Sequence, residues 1–263
     1  MARAAVALDE PAWLDAAQDA FAFVARHMVD GDGRLRHSWR DGRLRHPATL
    51  DDHAQMARAA LTLFEISGER GYLDHARNWA EAAERHYAAP AGGYFMSADD
   101  ADGLIVRPKS AADNATPGGT GTMAEVEARL WLLTGEMAWA ERAGRTIASV
   151  SGEIERNFYP LATLINAAEL IQSGLQIVIA GTDGADALLR VVRSLSLPNA
   201  VVTHSDDRAP LPANHPAAGK GAIRGRATAY VCEGPVCSLP LTEPQALRAD
   251  LLRRYPGAPR SAA

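Results

Sequence analysis

Leu63-Phe64-Glu65-Ile66-Ser67-Gly68-Glu69-Arg70-Gly71-Tyr72-Leu73-Asp74-His75-Ala76 and Leu130-Trp131-Leu132-Leu133-Thr134-Gly135-Glu136-Met137-Ala138-Trp139-Ala140-Glu141-Arg142-Ala143 are one pattern written twice. Upstream of each Gly-Glu step, apolar residues recur at helical spacing: Ala57, Ala60, Leu61, Leu63 and Phe64 in one copy, Met123, Val126, Leu130 and Leu133 in the other. Gly68 and Gly135 stand where a helix end needs a residue that tolerates left-handed φ. A second helix follows within a few residues, carrying Tyr72, Leu73, Ala76, Trp79, Ala80 and Ala83 in the first copy. A link that short returns the second helix antiparallel to the first. The unit is a helical hairpin.

An earlier, partial copy is Glu10-Pro11-Ala12-Trp13-Leu14-Asp15-Ala16-Ala17, which aligns with the run from Glu69 to Ala76. The same offset pairs His27 with His86, Gly33 with Gly92 and Ser38 with Ser97. Hairpins of this kind bury their apolar faces by stacking side by side. A period of about sixty residues with long loops fits an (α/α) toroid better than the shorter repeats of a solenoid. The first copy starts at its second helix, so the expectation is a lone starting helix, two full hairpins and a less regular helical stretch near residues 154–173. That is about half a ring, and it suggests a fragment of an array that begins further upstream.

The pattern changes near residue 175. Leu175–Ala180 reads as a buried strand, Gly181–Gly184 as a turn, Ala185–Leu195 as a helix and Asn199–Thr203 as a second strand. Residues 205–221 read as loop, Thr228–Cys232 as a third strand, and Glu243–Leu252 as a closing helix with Pro244 in its first turn. The fold class expected is mainly α: a partial (α/α)6 toroid over residues 1–174, then a small α/β C-terminal segment over 175–263.

Composition narrows the function classes. The chain is 47% hydrophobic and 22% charged, enough to bury a real core. A net charge of −5 gives no electrostatic reason to expect nucleic acid or an anionic membrane. No apolar run reaches the roughly 18 residues of a membrane span. The N-terminus reads poorly as a signal peptide. Two cysteines make no disulfide framework, and a cytoplasmic protein is the default expectation.

Several residues could carry chemistry. Asp51, Asp52 and His53 open an inner helix, and two carboxylates beside an imidazole suit acid–base work on a sugar. Asp and Thr are also preferred helix caps, and acids suit a helix N-terminus, so capping is the stronger reading and is compatible with lining a pocket. Arg107 and Lys109, two apart on an extended segment, face one side and could bind a hydroxyl-rich or anionic ligand, with Asp113 as counter-ion. The alternative is an ion-paired loop brace. Thr116 to Thr122 is a glycine-rich helix entry without the spacing or lysine of a phosphate loop. Trp39, Tyr94 and Phe95 offer stacking faces for a sugar ring, or pack their loops. Asp51, Asp52 and Asp113 are the carboxylates from which a glycosidase pair would be drawn. Cys232 and Cys237, spaced Cys-x4-Cys, match no zinc or Cys-x-x-Cys motif. Two buried reduced thiols are the reading adopted, with a redox-active disulfide as one alternative and a metal site shared with His204 and His215 as another. No metal or cofactor is called for.

With these residues laid out, the chain resembles the C-terminal part of the thioredoxin-domain-containing family of the spermatogenesis-associated protein 20 type. The matching stretches are Leu50-Asp51-Asp52-His53-Ala54, the Gly-Gly-Tyr-Phe loop at 92–95, Leu104 to Lys109, Asp113 to Pro117, and Ala229-Tyr230-Val231-Cys232 with Cys237. The resemblance implies an (α/α)6 toroid similar to N-acylglucosamine 2-epimerases and six-hairpin glycosidases, preceded by a thioredoxin-like domain absent from this chain. Pro117-Gly118-Gly119-Thr120-Gly121-Thr122 departs from the family's Pro-Ser-Gly-Asn-like segment. Two functions follow as expectations: carbohydrate binding or processing, or a non-catalytic scaffold for the thioredoxin-like domain. Convergence of Asp52, His53, Arg107 and Asp113 on one pocket separates the two.

Overall fold

The computed structural model describes residues 1–206 and 210–255. The expected loop at 205–221 and the expected segment 175–263 therefore each lie partly outside the described residues.

The two hairpins form as the repeat dictates. Helix α3 spans Leu50–Ser67 and α4 Arg70–Tyr87, joined at Gly68 with φ 75°; α5 spans Gly119–Thr134 and α6 Met137–Ser149, joined at Gly135 with φ 74°. After a short helix α7 (Ser151–Arg156) and a 3-10 turn (Tyr159–Leu161) comes α8 (Ala162–Ser173). Helices α3, α5 and α8 lie side by side as an inner row, backed by α4 and α6 as an outer one. This two-layer arrangement is a partial (α/α) toroid. Its layers show in the burial. Helix α5 is enclosed almost all round, down to Glu127 and Thr134, whereas α4 buries one stripe, Ala76, Trp79, Ala80, Ala83 and Tyr87.

Two expectations need correction. The starting helix α2 (Pro11–His27) is not unpaired, because a short helix α1 (Ala2–Leu8) precedes it and packs on both α2 and α3. Of α2 itself only Phe21 is fully buried, packed against Tyr72 and Trp79 of α4. The loop after α2 is also more regular than it reads: β1 (Arg36–Arg40) and β2 (Arg43–Pro47) form an antiparallel ribbon with Trp39 opposite Leu44. Asp41-Gly42 turns it, and both residues have positive φ, as a two-residue hairpin turn requires. The ribbon is largely exposed, so it lacks the apolar alternation that marks a half-buried strand.

The C-terminal segment is a four-stranded sheet in the order β4-β3-β5-β6, with β3 Leu175–Ala180, β4 Ala200–Ser205, β5 Thr228–Glu233 and β6 Val236–Cys237. Strands β3 and β4 are parallel, linked through α9 (Ala185–Arg193); β5 and β6 add antiparallel. Every residue of β3 is buried, as fits a central strand covered on both faces. Leu188, Val192, Leu247 and Leu251, from α9 and α10 (Pro244–Arg254), pack on one face of the sheet. On the other face Val178, Tyr230 and Cys232 meet Ala217. The segment is locked to the hairpins by polar bonds. Arg129 of α5 reaches Glu125 at 3.0 Å, Glu65 of α3 at 3.2 Å, and the Ala200 and Pro198 carbonyls at 3.2 and 3.3 Å. Glu65 in turn accepts the Val202 amide at 3.1 Å.

Candidate functional site

The inner helices begin at the end of the array where the long loops gather. Thr49 caps α3 in a reciprocal capping box: its amide donates to the Asp52 carboxylate at 2.7 Å and its hydroxyl at 2.9 Å. Nδ1 of His37, on the ribbon, lies 2.9 Å from the same carboxylate. His53 is fully buried; its Nδ1 donates to the Thr49 carbonyl at 3.2 Å and its ring lies 5.2 Å from that of Tyr87. Burial lowers its pKa, so the imidazole is held neutral, and its Nε2 has no hydrogen-bond partner among the described residues. Asp51 is half-buried, and its carboxyl is raised by burial against the opposing pull of the Gly119 amide. A Cβ on residue 119 would sit 2.4 Å from Asp51 Oδ1, so only glycine allows α5 to approach so closely.

Beside this corner opens a cleft of about 570 Å³. Its walls come from the start of the ribbon, the residues entering α3, and the loop after α4. Its polar lining is Asp30, Arg34, Arg36, Thr49, Ser97, Asp100 and Asp102. Arg34 pairs bidentately with Asp100, one arm at 3.0 Å, and Arg36 with Asp30 at 3.1 Å. The carboxylate of Asp100 holds the Arg34 guanidinium firmly charged and is itself held below its ordinary range. His86 Nδ1 lies 3.0 Å from Asp99. His86, Asp99 and Asp100 bring one potential ligand atom each within 4.8 Å of one another. Arg34 already occupies Asp100, so a cation there would face a fixed positive charge.

The sequence candidates divide in an instructive way. Asp51, Asp52 and His53 cluster, but in capping and buried contacts. Asp113 is no counter-ion for Arg107 and Lys109: it accepts the Gly118 and Thr163 amides, both at 2.8 Å, and so caps α5 and α8 together. Those bonds, with Asp51 near Gly119, also fill the glycine-rich helix entry with the chain's own carboxylates. Arg107 and Lys109 do face one side, with the Phe95 ring 4.2 and 5.9 Å from them. Both are spent on carbonyls, Arg107 on Ser97 and His86, Lys109 on Gly92 at 2.7 Å. Tyr94 is no stacking platform, being buried with its hydroxyl donating to Glu127. Trp39 is 39% exposed and meets Phe23 edge-on, and Thr116 is exposed in the loop before α5. Asp52, His53, Arg107 and Asp113 thus do not converge on one pocket. The cysteine expectation is also corrected: Cys232 and Cys237 form a disulfide, which removes both thiolates from any metal site with His204 or His215.

Sequence reasoning missed Arg34, Asp30 and Asp100 as site residues. Their signal was present only as the repeat register that pairs Gly33 with Gly92 and places these loops at one end of the array.

No family model matches the chain. Among the described residues no helix is long and apolar enough to cross a membrane. A cellobiose 2-epimerase from Spirochaeta thermophila is similar in structure over 58% of this chain and 40% of its own, with a TM-score of 0.46 and 22% identity. An uncharacterized protein of Caenorhabditis elegans is 25% identical over 97% of the chain. Spermatogenesis-associated protein 20 is 31% identical in Homo sapiens and 30% in Rattus norvegicus, in each case over 86% of this chain. The chain spans 31% of the length of those two relatives, and it is a homologue of the spermatogenesis-associated protein 20 family.

Proposed function

We propose that this part of the toroid binds a small polyhydroxylated ligand, a mono- or disaccharide, without catalysing its conversion. The observation that carries the reading is the cleft beside the start of α3. Its volume of about 570 Å³ lies within the roughly 300–1,000 Å³ of small-molecule sites. Its walls combine carboxylates (Asp30, Asp100, Asp102) with guanidiniums (Arg34, Arg36). Sugar hydroxyls both donate and accept, so they match a wall of mixed sign better than an anion or a cation would. Catalysis is left out because Asp51, Asp52 and Asp113, the three candidate carboxylates, all hold backbone amides at helix starts.

Isothermal titration against a panel of mono- and disaccharides tests this. Binding by the wild type, reduced at least tenfold in Arg34→Met and Asp100→Asn, is the expected result. No heat for any sugar at millimolar concentration would leave the second reading, a non-catalytic scaffold for a thioredoxin-like domain. That reading is favoured by the dispersal of Asp52, His53, Arg107 and Asp113 into separate structural bonds. Pull-down or titration with a recombinant thioredoxin-like domain of a full-length relative would test it directly.

A further inference from the structure

The Cys232–Cys237 bridge lies outside the cleft, on the far edge of the sheet. The two residues are direct partners in the β5–β6 register and only five apart in sequence. A disulfide constrains a chain most when it closes a long loop. Here the hairpin is already closed by strand pairing, with Glu233 opposite Val236 and the Ser238 amide donating to Val231 at 2.8 Å. The bridge therefore adds little to the fold.

Its two cysteines differ in burial. Cys232 is fully buried among Val178, Ala180, Ala217 and Tyr230, whereas Cys237 is partly exposed on the two-residue edge strand. The reduced state is provided for as well. Sγ of Cys237 lies 3.6 Å from the Pro216 carbonyl, an acceptor that only the thiol form can use. Cys232 as a thiol is a small apolar side chain in an apolar cluster. The reduced pair would therefore have an acceptor at Cys237 and an apolar surround at Cys232.

We propose that Cys232–Cys237 is a reversible redox site that exchanges with an external dithiol, with Cys237 as the sulfur attacked. A thiolate of the dithiol attacks Cys237 Sγ, the Cys232–Cys237 bond breaks, and Cys232 leaves as a thiolate that takes the proton of the dithiol's second thiol. The second thiol of the dithiol then attacks the mixed disulfide and releases Cys237, which is protonated in turn. Two electrons and two protons pass from the dithiol to the cysteine pair, and the dithiol becomes a disulfide.

The test uses the native chain equilibrated with dithiothreitol in its reduced and oxidised forms, followed by alkylation and mass measurement without denaturant. Reduction of both cysteines together, fully reversed by oxidised dithiothreitol and with the circular dichroism spectrum unchanged, is expected. Two variants check the order of attack. Cys232→Ala leaves Cys237 free and should form a mixed disulfide with oxidised glutathione, while Cys237→Ala should react at least tenfold more slowly. A bridge that yields only in denaturant, a reduced chain that loses its native spectrum, or equal reaction of the two variants would each overturn the proposal.

Discussion

At the scale of single residues, the most consequential group is a carboxyl with no part in the cleft. Glu127 sits inside α5, fully enclosed, and Tyr94 donates to its Oε1 while lying 3.1 Å from Glu84. One phenolic proton cannot serve two carboxylates at once, and Oε2 of Glu127 has no partner among the described residues. Burial pushes the Glu127 carboxyl up from 4.5 to about 8. Between those values the folded chain holds a proton that the unfolded chain has released. Stability from this group is therefore fully present below pH 4.5 and is lost as pH rises towards 8, with a slope of up to about 1.4 kcal/mol per pH unit. Glu127→Gln keeps the size and an acceptor but cannot ionise. Urea midpoints measured from pH 5 to pH 8 should fall for the wild type and fall less steeply for the variant. Parallel curves would show that Glu127 is ionised at neutral pH after all.

At the scale of elements, the repeat places two glycines in equivalent turns with unequal surroundings. Gly68 and Gly135 both have positive φ, at 75° and 74°. A Cβ on Gly68 would meet nothing within 4 Å, but one on Gly135 would lie 2.2 Å from the Asn214 carbonyl oxygen. Gly68→Ala should cost about 1 kcal/mol, the strain of a left-handed alanine alone. Gly135→Ala adds a backbone collision with the loop that carries buried His215, and thermal denaturation should show a clearly larger loss. Equal losses would mean that the Asn214 loop yields freely. The same pair marks how far sequence reading reaches. Hairpins, turns and the β3-α9-β4 unit follow from local periodicity and were legible. The ribbon at 36–47 was not, because exposed strands carry no apolar alternation. The cleft was not legible either, since Arg34 and Asp100 meet across 66 residues through the stacking of whole hairpins. Asp113 was legible as a charge but not as a double cap, because Thr163 lies 50 residues away.

At the scale of the molecule, the question is whether the helical hairpins and the C-terminal sheet stand or fall together. Arg129 is the pivot. It is nearly fully buried, shared between Glu125 and Glu65, and bonded to the carbonyls of Pro198 and Ala200 at the start of β4. Burial alone would weaken its charge, but the two glutamates outweigh that and raise its pKa, so the guanidinium stays ionised. Removing it leaves the enclosed carboxylates of Glu65 and Glu125 facing each other, with only Arg58 still 3.6 Å from Glu125, and takes a donor from the Pro198 and Ala200 carbonyls. Truncating one partner of such a group typically costs about 3–5 kcal/mol, because the remaining charge stays buried and uncompensated. All five tryptophans lie between Trp13 and Trp139, so fluorescence reports on the helical part and its ribbon and not on the sheet. Hydrogen exchange at the β3 amides reports on the sheet. In the wild type both should report one urea transition, and Arg129→Ala should shift both by the same amount. A compensated variant, Arg129→Met with Glu65→Gln and Glu125→Gln, removes the charges together and should recover much of the loss. If β3 keeps its protection while the tryptophan signal unfolds early, the hairpins and the sheet are separate cooperative units, and Arg129 is a local brace.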